Sequence, residues 1–85
     1  MKPEELARTA VQTLARLTGR QPETVLGLRR DDEGWKVMVE VVELSRVPSS
    51  TDVLGCYSVS LDEQGEVLGY ERSRRYQRGQ VGGDE

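Results

Sequence analysis

The spacing of apolar residues changes once along this chain, and that change dictates its architecture. Between residues 3 and 18, Leu6, Ala10, Leu14 and Leu17 recur at helical intervals, flanked by Ala7 and Val11, with Arg8, Gln12 and Arg16 opposite. From Thr24 onward the apolar residues recur in twos. A helical period stacks side chains on one face of a helix, whereas a period of two sends alternate side chains to opposite faces of a strand. The expected fold is therefore α+β: an N-terminal amphipathic helix packed on one face of an antiparallel meander of three to four strands.

Local signals set the boundaries. Pro3 suits the first helical turn, Glu4 and Glu5 complement the positive end of the helix dipole, and Gly19 followed by Pro22 marks the stop. Val25 to Arg29 reads as a short first strand, closed by the turn Asp31-Asp32-Glu33-Gly34. In the second strand Trp35, Val37, Val39 and Val41 alternate with Lys36, Met38 and Glu40. Glu43 then falls where an apolar residue is due, while Val42 and Leu44 take over the apolar phase. This predicts a β-bulge between Val41 and Val42, with Glu40 and Glu43 facing solvent. Pro48 to Asp52 is a loop by composition. The third strand runs from Val53 to Leu61, and Asp62-Glu63-Gln64-Gly65 repeats the carboxylate-first, glycine-last turn. A fourth strand starts near Glu66 and extends to Arg78. Residues 1–78 form one α+β domain, followed by a flexible C-terminal tail, 79–85.

Composition narrows the function. The chain has no histidine and a single cysteine, Cys56, so the commonest general base and metal ligand is missing and no intramolecular disulfide can form. Cys56 lies mid-strand with no evident activating group and reads as a half-buried hydrophobe. Asp31, Asp32 and Glu33 lack the alternating oxygen ligands of a calcium loop. The isolated glycines Gly27, Gly55 and Gly69 make no phosphate cradle. The chain is expected to be no enzyme and to carry no cofactor or metal. No apolar run is long enough to span a bilayer and the N-terminus does not read as a signal peptide, so a cytoplasmic protein is expected. A net charge of −3 argues against general affinity for nucleic acid or anionic membranes.

One stretch carries interaction chemistry. Tyr70-Glu71-Arg72-Ser73-Arg74-Arg75-Tyr76-Gln77-Arg78 places four arginines and two tyrosines on a single strand. Strict alternation puts Tyr70, Arg72, Arg74, Tyr76 and Arg78 on one face, and Glu71, Ser73, Arg75 and Gln77 on the other. Arg and Tyr supply the rigid donors and flat amphipathic surface enriched at interface hot spots. The competing reading is a solvated strand end whose arginines pair with Glu40 and Glu43, and which blunts a sheet edge. The candidate partner-binding residues are Tyr70, Arg72, Arg74, Arg75, Tyr76 and Arg78, joined by Pro48, Thr51 and Asp52 of the loop.

The segment from Trp35 to Arg78 resembles the gas vesicle synthesis proteins of the GvpO type. The likeness rests on Trp35 through Leu44, then Arg46-Val47-Pro48, Thr51-Asp52-Val53-Leu54 and Tyr57. Leu61-Asp62-Glu63-Gln64-Gly65 and the run from Gly69 to Gly79 complete the ordered series. The resemblance implies a cytoplasmic, non-enzymatic accessory protein that binds other gas vesicle proteins, accessory or shell, during assembly. A weaker likeness, a helix followed by strands with an Asp-x-x-Gly turn, is to PepSY-type inhibitor or sensor domains. The absence of an export signal counts against that alternative. A third reading is a regulator binding nucleic acid through the Arg/Tyr strand, where charge and stacking would act together.

Overall fold

The computed structural model describes residues 2–79. Its elements are α1 (Pro3–Thr18), β1 (Gln21–Asp31), β2 (Gly34–Leu44), a short 3-10 turn (Ser49–Thr51), β3 (Val53–Leu61) and β4 (Val67–Gln77). The four strands form one antiparallel sheet in the order β1-β2-β3-β4, so β1 and β4 are its edges. The expected α+β meander is what the chain adopts. Of the expected tail, 79–85, residues 80–85 lie outside the described residues.

The helix matches its signals. The Lys2 amide donates to Glu5 Oε1 at 3.4 Å, and the Gly19 amide, in left-handed conformation, closes the last turn on the Ala15 carbonyl at 2.9 Å. The Thr18 hydroxyl donates to the Leu14 carbonyl and accepts from the Arg20 amide, turning the chain into β1. Leu6, Ala10 and Leu14 face the sheet and are buried, whereas Leu17, expected in the same stripe, is more than half exposed. With Val37, Val39, Val41, Tyr57, Val59 and Leu61 they form the core, each full burial of a Val or Leu contributing about 1.5–3 kcal/mol.

Strand β1 is longer than its apolar segment indicated. It begins at Gln21, and Pro22 lies within it, opposite Val41. Proline is tolerated there because an edge strand leaves one row of backbone groups outside the ladder. Both short turns form as expected. Asp31 Oδ1 accepts from the amides of Glu33 and Gly34, and Asp62 Oδ1 from those of Gln64 and Glu66. Gly34 has φ +150°, and a Cβ there would meet the Leu61 carbonyl oxygen at 2.2 Å. No side chain fits where the first hairpin crosses the backbone leading into the second.

Candidate functional site

The end of β2 departs from its sequence reading. The row Val37, Val39, Val41 does not slip after Val41 but continues into Glu43, whose side chain is 2% exposed, while Leu44 is the residue left in solvent. An irregularity does occur, but between Val42 and Leu44, where Glu43 is the extra residue opposite β3. Burying a carboxylate requires partners for both its oxygens. Tyr57 donates its hydroxyl to Glu43 Oε2 at 3.0 Å, and Arg72 Nη1 donates to Oε1 at 3.0 Å. Arg75 Nε stands 3.7 Å from the same Oε1. The space for this carboxylate exists because position 55 is glycine, where a Cβ would come within 2.2 Å of Oε2.

The Arg/Tyr strand is correspondingly split. Ser73 and Leu68 are extra residues in β4, at register shifts between Cys56 and Tyr57 and between Ser60 and Leu61. The strict alternation read from the sequence therefore fails. Cross-strand partners share a sheet face, so Tyr70 and Arg72, paired with Val59 and Tyr57, and Arg75, paired with Gly55, lie on the helix-bearing face around Glu43. Arg74 and Tyr76, paired with Cys56 and Leu54, lie on the other. There the Tyr76 hydroxyl donates to Glu40 and the Arg74 guanidinium stacks on the Tyr76 ring at 5.0 Å. Tyr70 contacts Tyr57, ring centroids 6.0 Å apart. The Ser73 hydroxyl fixes the bulge by donating to the Cys56 carbonyl.

The loop and the end of β4 come together. The buried Asp52 accepts from the Arg46 amide at 2.8 Å and from Arg78 Nη2 at 3.2 Å, while the Arg78 amide donates to the Asp52 carbonyl at 2.7 Å. Arg78 also reaches Glu23 of β1 at 2.8 Å, spanning the sheet end from one edge to the other. Thr51 closes the 3-10 turn through its hydroxyl on the Pro48 carbonyl. Asp52, Thr51 and Arg78 thus act as braces. What they hold out is Val47, 99% exposed, followed by Pro48 through a cis peptide bond. The side chains of Arg72 and Arg75 keep 45% and 53% of their surface in solvent.

Burial chiefly, and then the adjoining carboxylates, raise two phenols above their ordinary pKa: Tyr57 beside Glu43, and Tyr76 beside Glu40. The competing sequence reading paired the arginines of the last strand with Glu43, as Arg72 and Arg75 do, and with Glu40, which instead accepts from Tyr76; it missed Tyr57 beside Glu43 and Glu23 as a partner of Arg78. The available signal was a carboxylate in the apolar phase of β2 together with a glycine in the facing strand. Cys56 is half-buried on the uncovered face. Among the described residues no three carboxylate or thiol side chains gather as metal ligands, and no helix is long and apolar enough to cross a membrane.

The chain matches the family model described as gas vesicle synthesis protein GvpO over residues 1–82. It is 47% identical over 77 residues to gas vesicle protein O of a Streptomyces species, covering 91% of this chain and 60% of that relative. It is 43% identical over 75 residues to gas vesicle protein O1 of Halobacterium salinarum, covering 88% and 60%. Gas vesicle protein O of Haloferax mediterranei is 45% identical over 49 residues, covering 58% and 35%. The chain thus spans about 60% of the length of the first two of these relatives and about a third of the last. No solved structure gives a significant match. With a family match across nearly its whole length, this chain belongs to the gas vesicle synthesis protein GvpO family.

Proposed function

We propose that this protein is a cytoplasmic, non-catalytic assembly factor that promotes gas vesicle formation by binding other gas vesicle proteins. The observation that carries the reading is an exposed, arginine-rich edge strand whose end is tied to an exposed loop. Strand β4 exposes Arg72 and Arg75 on the helix-bearing face and Arg74 on the other, and its end is tied through Arg78 to Asp52 of a loop that presents Val47 fully to solvent. Exposed arginine and tyrosine together with an apolar knob are the composition of interaction hot spots. Tyr70, on the helix-bearing face of the strand, and Pro48, in the loop, are among the proposed contact residues. Thr51, Asp52 and Arg78 brace the loop, and Tyr76 carries the Arg74 guanidinium on its ring.

The test uses Arg74→Glu with Val47→Glu. Neither residue has a carboxylate partner among the described residues, so the fold is expected to survive, whereas Arg72→Glu would set a second carboxylate against Glu43. Co-expressed with the remaining gas vesicle proteins, the double variant is expected to lose co-purification and vesicle formation with an unchanged far-UV circular dichroism spectrum. Normal vesicle formation would refute the assignment of this surface.

A further inference from the structure

Two cations share one anion at the sheet end. Arg72 donates to Glu43 Oε1, while Arg75 stands 3.7 Å from the same atom, beyond hydrogen-bond range. The second oxygen of Glu43 is taken by Tyr57. Arg75 therefore makes no hydrogen bond to Glu43, and about half of each arginine side chain remains in water. Arg74, next in the chain, stacks on Tyr76 and has no carboxylate within ion-pair distance among the described residues. The group is short of negative charge. β4 is also an outer strand, so an incoming segment can run beside it.

We infer that Arg72 and Arg75 form a clamp for one carboxylate of a partner protein, carried on an extended and otherwise nearly neutral segment lying along β4, with Arg74 able to take a second. This rests on the reading that the protein works by binding partners through this surface. Guanidinium forks pair bidentately with carboxylates, and such charge-assisted bonds are about twice as strong as neutral ones. A second copy of β4 is disfavoured as occupant, because its arginines would face these. A nucleic-acid strand is disfavoured by charge. Subtracting these three arginines from the net −3 leaves −6 on the rest of the molecule, which repels a long polyanion but not an isolated carboxylate. Glu43 is then a resident competitor, since its fixed negative charge opposes the incoming one across the same two guanidiniums.

The experiment is a titration of the full chain, labelled with nitrogen-15, with the peptide acetyl-Ala-Glu-Ala-Glu-Ala-amide, read at the arginine Nε–H signals. Saturable shifts at Arg72 and Arg75 are expected, and the analogue with Gln for Glu should bind at least about tenfold more weakly. Arg75→Gln should weaken the glutamate peptide by a similar factor while leaving the thermal midpoint nearly unchanged. Glu43→Gln is expected to lower the thermal midpoint and yet tighten peptide binding about threefold or more, a change that a merely structural role for Glu43 would not produce. Equal shifts at Arg8, Arg16 and Arg29 would overturn the clamp. So would tighter binding of a thymidine decamer, concentration-dependent self-association through β4, or unchanged affinity in both variants. Co-purification of gas vesicle proteins alongside a failed titration would overturn the clamp and spare the assembly reading.

Discussion

Gly55→Ala tests whether the sheet end is built around a buried carboxylate. A methyl at position 55 would stand 2.2 Å from Glu43 Oε2, 2.8 Å from its Cδ and 3.0 Å from its Cγ. The carboxylate is the mobile party, so it must swing away from Tyr57 and Arg72. Losing a charged hydrogen bond in a buried setting costs about 1.5–3 kcal/mol. The half-exposed pair with Arg72 adds under about 1 kcal/mol. Replacing glycine recovers about 0.4–1 kcal/mol through the unfolded state. The net loss is about 1–3 kcal/mol. With a urea slope near 1 kcal/mol per molar for so small a domain, the unfolding midpoint should fall by about 1–3 M. The same change in a Glu43→Ala background removes nothing, because the obstructing group has gone; it should be neutral or mildly stabilising. The two backgrounds should therefore differ by more than about 1 kcal/mol, the coupling expected of groups in contact. Equal cost in both would show that Gly55 is not there to admit Glu43, and the account of the site would fail with it.

Other positions give independent checks. Gly34→Ala sets a Cβ against backbone atoms of Leu61 and Asp62, which cannot swing aside, so a loss above about 3 kcal/mol is expected in thermal melts; a midpoint within a few degrees of wild type would contradict the packing described. Asp52→Ala leaves the part-buried Arg46 amide without its acceptor and Arg78 with Glu23 alone, and should cost about 2 kcal/mol. Hydrogen exchange at the Arg46 amide should accelerate, and full retained protection would argue that the loop is braced by something else. The two raised phenols predict an alkaline weakness. Tyrosines in the unfolded chain titrate near about pH 10, below Tyr57 and Tyr76 in the fold, so the unfolded state releases protons first. Stability is constant below that value and declines as pH rises through it until the folded phenols ionise. A Tyr57→Phe, Tyr76→Phe variant should show a flatter thermal midpoint between about pH 9 and 11, and an identical slope would refute the shifts.

What could be read directly was whatever depends on neighbours in the chain. The helix from Pro3 to Thr18, both Asp-x-x-Gly turns and the span of β3 follow from spacing, caps and turn chemistry, which act within a few residues. The absence of histidine and the single cysteine follow from composition, and the resemblance carried by residues 35–78 pointed to the right family. The faces of the Arg/Tyr strand did not follow, because period-two counting fails once a bulge intervenes. The extra residues at Leu68 and Ser73 are defined only against β3. Glu43 shows the same limit from the other side. Its carboxylate in an apolar phase read as a slip to solvent, there to pair with arginines of the last strand. Only the tertiary structure showed that the pairing is buried, with the Tyr57 hydroxyl donating to the carboxylate and the missing Cβ of Gly55 making room for it. Desolvating a charge is tolerable when its partners are already in place, and those partners lie on β3 and β4, 12 to 32 residues away along the chain. Local sequence determined which elements form; the sheet decided which of their charges meet.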